Sequence, residues 1–364
     1  MDRVTRAPTS PFVGLFILLL ILPIPPSQSA DVRCSVTTAQ KVPGSLTRHL
    51  DKDCPLEARQ TQAIKADEVM EALKSGRHVD LVGVIIEGDL FLDQIPFSPV
   101  NPVDVPAGHI RDAIAGGQLT ELHQIQGSIS IRDSRMQGRI GTRIKEGYVL
   151  ARGAVTVAGT IFEQPVDFSR AAFVGPVDFS DASFLREGFF IRAIFDQPVT
   201  FERTAFGPHT RFHRARFGDE ASFRGARFSG LAEFMEVTFG RDASFSRTAF
   251  TMGTGFSGSR FAGNLDFSEA QFEREIFFLF TVFEHDVSFR RAIFRNVADF
   301  SDAQFKEESD FSEASFRVDP NFMRTKMRTE PPRRSDLDHL GSFYGMATGL
   351  AVFMVMVVRV LKRW

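Results

Sequence analysis

The sequence contains very little tyrosine and tryptophan, and its positive and negative charges nearly balance. Its 364 residues include 2 Tyr and 1 Trp against 39 Phe, and the net charge is −2. A balanced charge excludes the long-range attraction to phosphate that dominates nucleic-acid binding. An ordinary core draws on several apolar residue types. One aromatic type used this often therefore indicates a single geometric position that recurs many times.

Cysteine is nearly absent too, and its two copies lie close together. Residues 1–29 read as a secretory signal peptide, with Arg3 and Arg6, a short apolar stretch, and small residues suited to cleavage after Ser29. An uncleaved anchor is the alternative, although the apolar stretch is shorter than the roughly 20 residues of a membrane span. Cys34 and Cys54 come just after this segment, and in an exported chain we expect them to form a disulfide.

The phenylalanines follow two regular series. The first recurs every eleventh residue, at 162, 173, 184, 195, 206, 217, 228, 239, 250, 261, 272, 283, 294, 305 and 316. The second has the same spacing, at 168, 179, 190, 201, 212, 223, 234, 245, 256, 267, 278, 289, 300, 311 and 322. Together they contain 30 of the 39 Phe, alternately six and five residues apart.

The residues before each Phe explain the spacing. A small or β-branched residue lies two positions earlier, as Ala182 does before Phe184 and Val177 before Phe179, and the residue between is usually polar. This in–out–in order indicates a very short strand with two side chains in a core. Because neither a helix nor a long strand accommodates alternating steps of five and six, the pattern predicts a coil that turns after every short strand.

The pattern resembles the pentapeptide-repeat family, in which a central Phe or Leu and a small residue two places earlier point inward. Good examples are Ala182-Ser183-Phe184, Ala226-Arg227-Phe228, Ala243-Ser244-Phe245 and Ala303-Gln304-Phe305. The resemblance covers 162–322 and implies an all-β solenoid, a right-handed quadrilateral β-helix. One extra residue in alternate units predicts about 22 residues per coil, with four internal columns of stacked Phe.

Weaker repeats extend the predicted solenoid upstream. Paired inward positions such as Val79/Leu81 and Ile129/Ile131 predict degenerate first coils over 79–161, interrupted by an insertion at about 96–124. In the segment 30–78, the apolar face of Ala63 to Lys74 predicts an amphipathic helix that caps the first coil.

The C-terminal part predicts a membrane anchor. After a linker at 323–339, the 19 uncharged residues of 340–358 suit one transmembrane helix, and 359–364 form a basic tail. Basic residues also precede the helix, but the signal peptide favours a single-pass protein with the repeats on the extracytoplasmic side. Gly341, Gly345 and Gly349 share one helix face and suggest a homodimer contact, although such Gly patterns also arise by chance.

No catalytic, cofactor-binding or metal-binding motif is found. His209 and His213 are the closest histidine pair, and we interpret them as solvated corner residues rather than metal ligands. The outward Asp residues alternate with Ser and Thr, which indicates a solvated strand face rather than a calcium ladder.

One outward apolar cluster is a candidate partner site. Phe189 and Phe277 occupy a normally polar outward position, 88 residues apart in one predicted column, and Leu279 and Phe280 enlarge the second patch. The alternative is that neighbouring segments cover these rings.

The sequence therefore favours a non-catalytic, membrane-anchored scaffold that contacts an unknown protein partner. Some pentapeptide-repeat proteins resemble DNA and inhibit topoisomerases, which makes a DNA mimic one alternative. Residues 162–322 hold 25 acidic and 18 basic residues, a mild net charge of −7. An unrecognised surface enzyme is the other alternative.

Overall fold

The computed structural model describes residues 34, 36–37, 44–51, 53–105, 108–117, 119, 122–142, 144, 147–328 and 330–332. The predicted signal peptide, the predicted transmembrane helix and its three glycines lie outside these residues. In the part of the chain that the structure describes, no helix has the length and apolar character needed to cross a membrane.

The described chain forms an all-β solenoid of about 11 coils with about 22 residues per turn. Each coil adds short strands to four sheets, which we call sides A, B, C and D in chain order. Strands on each side pair in parallel with the equivalent strands one coil before and after, except the antiparallel pair Val36–Thr37 and Ser45–Leu50. The predicted solenoid and its 22-residue coil are confirmed.

Side A contains Val36–Thr37, Ser45–Leu50, His78–Val82, Ile129–Arg132, Val155–Thr156, Val177–Asp178, Val199–Thr200, Ala221–Ser222, Ala243–Ser244, Leu265–Asp266, Val287–Ser288 and Ser309–Asp310. Side B contains Ile64–Lys65, Ile85–Glu87, Arg135–Met136, Ile161–Phe162, Ser183–Phe184, Ala205–Phe206, Arg227–Phe228, Ala249–Phe250, Gln271–Phe272, Ile293–Phe294 and Ser315–Phe316.

Side C contains Leu90–Phe91, Ile140–Gly141, Val166–Asp167, Gly188–Phe189, His209–Arg211, Leu231–Glu233, Thr254–Gly255, Ile276–Phe277 and Ala298–Asp299. Side D contains Leu122–Ile125, Tyr148–Ala151, Ala171–Phe173, Ile194–Phe195, Arg216–Phe217, Thr238–Phe239, Arg260–Phe261, Val282–Phe283 and Gln304–Phe305.

Helices are few and lie in the first coils. They are α1 (Leu56–Thr61), α2 (Ala66–Lys74) and α3 (His109–Ala115), with short 3₁₀ turns at Leu92–Gln94 and Pro102–Asp104. Helix α2 follows the first side-B strand, contacts the strands His78–Val82 and Leu90–Phe91, and buries Val69, Met70 and Leu73. Ser45–Leu50 already pairs in parallel with His78–Val82, so the coils begin well before Val79, where the sequence pattern first suggested them.

Stacked phenylalanine rings fill the interior. The ring of Phe245 lies 4.6 Å from that of Phe223 in the preceding coil, with planes 2° apart, and meets Phe234 edge to face at 5.4 Å. Edge-to-face and offset contacts between aromatic rings are favourable beyond the area they bury. Twenty-eight of the 30 series Phe are buried; Phe311 and Phe322, near the C-terminal end of the described coils, are half-buried. The four predicted internal columns are confirmed.

Two corners of every regular coil use a left-handed residue. It lies two positions after each Phe of the second series, in the corner between sides A and B or between sides C and D. In Phe245's turn, Arg247 has a φ of 57° and the N–H of Thr248 donates to the Phe245 carbonyl at 3.2 Å. The two other corners contain the additional residue of the six-residue unit, which explains the alternation of five and six.

Left-handed backbone strongly favours glycine. Only two of the fifteen left-handed residues, which lie two positions after the second-series Phe, are glycine. The fifteen are Arg170, Asp181, Arg192, Arg203, Arg214, Gly225, Glu236, Arg247, Gly258, Glu269, Phe280, Arg291, Asp302, Glu313 and Arg324. Most of their charged side chains pair across one coil, as Arg203 does with Asp181 at 2.7 Å and Arg291 with Glu313 at 2.7 Å.

The insertion forms a separate apolar layer on side D. Helix α3 packs Ile110 and Ile114 against the outward residues Leu150, Ala172 and Ile194, in a second hydrophobic cluster outside the main core. The outward position one coil later is Arg216, so the apolar part of side D ends where the insertion ends.

Candidate interaction surfaces

A continuous groove runs along side A. It has a volume of about 1010 Å³ and follows eight successive side-A strands, from Val155–Thr156 to Ser309–Asp310. At about 4.8 Å per coil, this is a length of about 34 Å. The groove is open to solvent and far longer than a small-molecule pocket, which suits an extended ligand or a protein surface.

The groove is acidic. Its lining includes Asp178, Glu202, Glu220, Asp242, Asp266, Asp286, Glu308 and Asp310, and Arg224 is its one basic residue. The net charge of this lining is −7, which equals the net charge of the whole 162–322 array. Positive and negative charges elsewhere on the array therefore balance, and the excess negative charge lies on this one side.

Some groove carboxylates also shape the turns that follow them. Asp178 accepts the N–H of Ser180 at 2.8 Å, and Asp266 accepts that of Ser268 at 2.8 Å. Asp310 accepts the Ser312 N–H, and hydrogen bonds from Ser312 hold the pKa of Asp310 below its ordinary value. These Asp residues therefore have a structural role beyond solvation, while Glu220 and Glu308 are exposed.

The predicted patch residues do share one column of side C. Phe189 lies on Gly188–Phe189 and Phe277 on Ile276–Phe277, four strands further along. Phe189 is half-buried: the Arg211 guanidinium lies 5.8 Å from its ring centroid, and the His209 ring lies edge-on at 6.1 Å. Phe189 is therefore packed against side chains of its own chain.

The second half of the patch is only partly exposed. Phe277 is 8% exposed, which differs from the exposed ring that the sequence suggested, while Leu279 is half-buried and Phe280 is 64% exposed. An outward position does not ensure exposure, because a large ring can be covered by its neighbours. Phe280 occupies a left-handed corner position, so the apolar surface lies at the C–D corner rather than on the flat side.

His209 is part of an ion-pair cluster rather than a solvated corner. Its Nε2 lies 3.0 Å from Glu233, which also binds the Arg211 guanidinium. Burial raises the pKa of Glu233, but these two partners outweigh it and hold the pKa below its ordinary value. His213 lies in the same coil, at the C–D corner beside Arg214, where burial lowers its pKa. Among the described residues, no group of three or more His, Cys, Asp or Glu could hold a metal ion.

The comparison with known families identifies the repeat. A family model for pentapeptide repeats (9 copies) matches residues 158–205 and 208–249. These repeats are pentapeptide repeats. The match covers the first half of the Phe-cored coils, where the small residue and the Phe both point inward. No curated protein and no solved structure gives a significant match.

The two cysteines meet before the pentapeptide-repeat coils become regular. Cys34 and Cys54 are joined by a disulfide, with Cα atoms 5.3 Å apart, and Cys54 is buried. The bond attaches the most N-terminal described residue to the loop before α1.

Sequence reasoning missed two features of the pentapeptide-repeat surface. The groove was not visible because most of its acids are about one coil apart in the sequence and come from three different positions of the coil. The insertion's attachment was also missed: the Asp196 carboxylate is buried beside the start of α3, where burial raises its pKa more than the His109 and Ile110 N–H groups lower it. Gly108 has a φ of 154°, and a Cβ there would lie 2.6 Å from that carboxylate. A lone Asp after a Phe gives no signal of this contact.

Proposed function

We propose that this protein is a non-catalytic, membrane-anchored pentapeptide-repeat scaffold that binds a basic protein partner outside the cytoplasm. The side-A groove carries the proposal. It is long, open and regular, and it collects the array's entire excess of negative charge on one side. Complementary charge accelerates association and selects among partners, so an extended segment rich in Lys and Arg fits this surface best.

The proposal includes how the rod is terminated and tethered. Helix α2 would cap the N-terminal end, because it covers apolar side chains beside the first coils. The uncharged segment 340–358 would span the membrane after the linker, and Gly341, Gly345 and Gly349 would allow a second copy to pack against it. A disulfide between Cys34 and Cys54 supports an oxidising compartment.

Charge reversal in the groove tests the interaction. The variant Glu220→Lys with Glu308→Lys changes two exposed acids of the groove. The matched control, Glu187→Lys with Asp319→Lys, makes the same change of charge at the equivalent position of the corner between sides B and C, three residues after a first-series Phe. Crosslinking and affinity capture from the native membrane should lose a basic partner only with the first variant. Equal capture by both variants would contradict the groove as the binding surface.

The second candidate is a DNA mimic, which the one-sided acidic face also favours. The two functions require opposite locations of the rod. A reporter active only in the periplasm, fused after Arg324, should be active if the scaffold proposal is right. Activity only from a cytoplasm-active reporter would reverse the topology and favour a DNA-mimic role, which competition with DNA for a topoisomerase would then test. An unrecognised surface enzyme remains the third alternative, without a specific observation in its favour.

A further inference from the structure

The C–D corner contains a cleft lined by four arginines. Arg170, Arg192 and Arg214 occupy its left-handed position in three successive coils, and Arg216 joins them from side D. The cleft has a volume of about 280 Å³. Ala113 and Leu119 of the insertion form its other wall, so the arginines line a recess and not a flat basic surface.

The charge pattern over these three coils differs from the pattern at the A–B corner. At the A–B corner, left-handed charged residues of neighbouring coils alternate in sign: Arg203 pairs with Asp181, and Arg247 with Glu269. At the C–D corner, Arg192 has an arginine in the equivalent position one coil before it and one coil after it. Positive charge is therefore concentrated over three adjacent coils, and Glu236 follows in the next coil. The backbone turn is the same at both corners, so the turn does not require this arrangement.

The cleft walls favour a rigid anion site. The Arg170 guanidinium lies 5.8 Å from the Tyr148 ring centroid, which orients it. Arg214 is held on its other side by Glu236, whose Oε2 accepts from Nε at 2.7 Å. Ala113 of α3 and Leu119 supply the apolar wall. Guanidinium groups in a fixed array match phosphate oxygens in bidentate geometry.

We propose that this cleft binds a multiply charged oxyanion of phosphate chemistry, held by Arg170, Arg192 and Arg214. The three guanidinium groups would share the ligand's charge across successive coils, and the α3 wall would limit the ligand's size. The phosphate group could belong to a small molecule in solution or to a lipid headgroup. The experiment therefore has one arm for each source.

The test uses the full-length chain and a matched pair of variants. Arg192→Gln removes the central arginine of the cleft. Arg203→Gln makes the same change eleven residues later, at the same left-handed position of the A–B corner (φ 54° against 58°). Both variants lose one positive charge, and unchanged thermal unfolding would show that both are folded. The arms are titration with inorganic pyrophosphate by calorimetry, and co-sedimentation with vesicles containing an anionic phospholipid.

Binding of pyrophosphate that is weakened at least tenfold by Arg192→Gln and unchanged by Arg203→Gln supports a free phosphate ligand. The same contrast in the vesicle arm alone supports a lipid phosphate. The proposal is overturned if neither arm shows binding by the wild-type chain at millimolar ligand, or if the two variants weaken binding equally, because equal loss would reflect net charge and not the cleft.

Discussion

The first coils and the later coils build the same four-sided solenoid with different interiors. Each side of the coil has two inward residues. From Phe162 to Phe322 the second of them is Phe, and the rings stack in register. Before Phe162, Ile, Leu, Val, Met, Ala and Thr occupy the same positions. A void of about 50 Å³ lies where the two interiors meet, lined without polar surface by residues such as Ile131, Val157 and Phe168. The mixed aliphatic side chains of the first coils leave this space where the stacked rings begin.

The largest effect should come from removing one ring of a stack. Phe245→Ala leaves a cavity between Phe223 and Phe267, and we expect a loss of about 3–5 kcal/mol in the free energy of unfolding of the surrounding coils. Urea unfolding followed by circular dichroism measures it. Each coil contacts only its neighbours, so hydrogen exchange should rise mainly in the coil that contains Phe245 and in the coils on either side of it. Leu81→Ala is the comparison in the first coils; uniform exchange along the whole rod would contradict this local behaviour.

Reducing the disulfide should destabilise the first coils and leave the Phe-cored coils unchanged. Breaking the Cys34–Cys54 bond releases a chain segment of 20 residues, for which we expect about 2–4 kcal/mol. Hydrogen exchange with and without reductant would locate the loss. Mass spectrometry of the untreated protein, showing free thiols at both cysteines, would contradict the premise.

Filling the void should make the junction resemble the later coils. Val157 takes the inward position that Phe179 takes one coil later, and Val157→Phe would extend that column by one ring. At about 24 cal/mol per Å³, a 50 Å³ void costs about 1 kcal/mol, so we expect a gain of up to that size in thermal unfolding. Val177→Phe is the control: it lies outside the void lining, and overpacking should destabilise it.

A smaller gain should follow from relieving a left-handed corner. Phe280→Gly removes a bulky residue at a φ of 57°, and we expect about 0.5–1 kcal/mol of added stability in urea unfolding. Arg291→Gly, at the same position of the A–B corner, should gain less because it also loses the pair with Glu313. A loss of stability in Phe280→Gly would show that the ring stabilises the fold.

The smallest effect concerns the insertion and pH. Burial raises the pKa of Asp196 above the ordinary carboxyl value, against the lowering effect of the Ile110 and His109 N–H groups. The protonated form is favoured in the folded state, so the docking of α3 is strongest below the ordinary pKa and weakens as pH rises through the folded pKa. Amide exchange of α3 should therefore quicken with pH beyond its intrinsic rate, and Asp196→Asn should remove this additional dependence.

Much of the interior could be predicted from the sequence, because its chemistry repeats. A Phe every eleventh residue specifies columns, and the small residue before it specifies short strands. Some chemistry at that small position was not predicted: buried Thr248 donates its hydroxyl to the Phe223 carbonyl of the preceding coil at 2.8 Å. Only the folded coil shows that the hydroxyl of a threonine at this position has a hydrogen-bond acceptor.

The surfaces were harder to predict, because they depend on residues far apart in the chain. The Phe277 position was identified correctly, but its exposure depends on what lies over the ring. The second strand, Ser45–Leu50, contains no Phe, so its parallel pairing with His78–Val82 had no sequence signal. The groove and the arginine cleft needed the 22-residue register before their members could be placed together.

The period of the interior is half the period of the exterior. Eleven residues restore the core, since Phe201 and Phe212 are equivalent inside the rod, but they move a surface residue to the opposite side. An insertion or deletion of eleven residues would therefore leave the core intact and interrupt the groove by half a revolution. One of 22 residues would only change the groove's length. The rod can therefore change length by whole coils without disturbing the alignment of its surface residues, whereas a change of half a coil moves side-A residues to the opposite side.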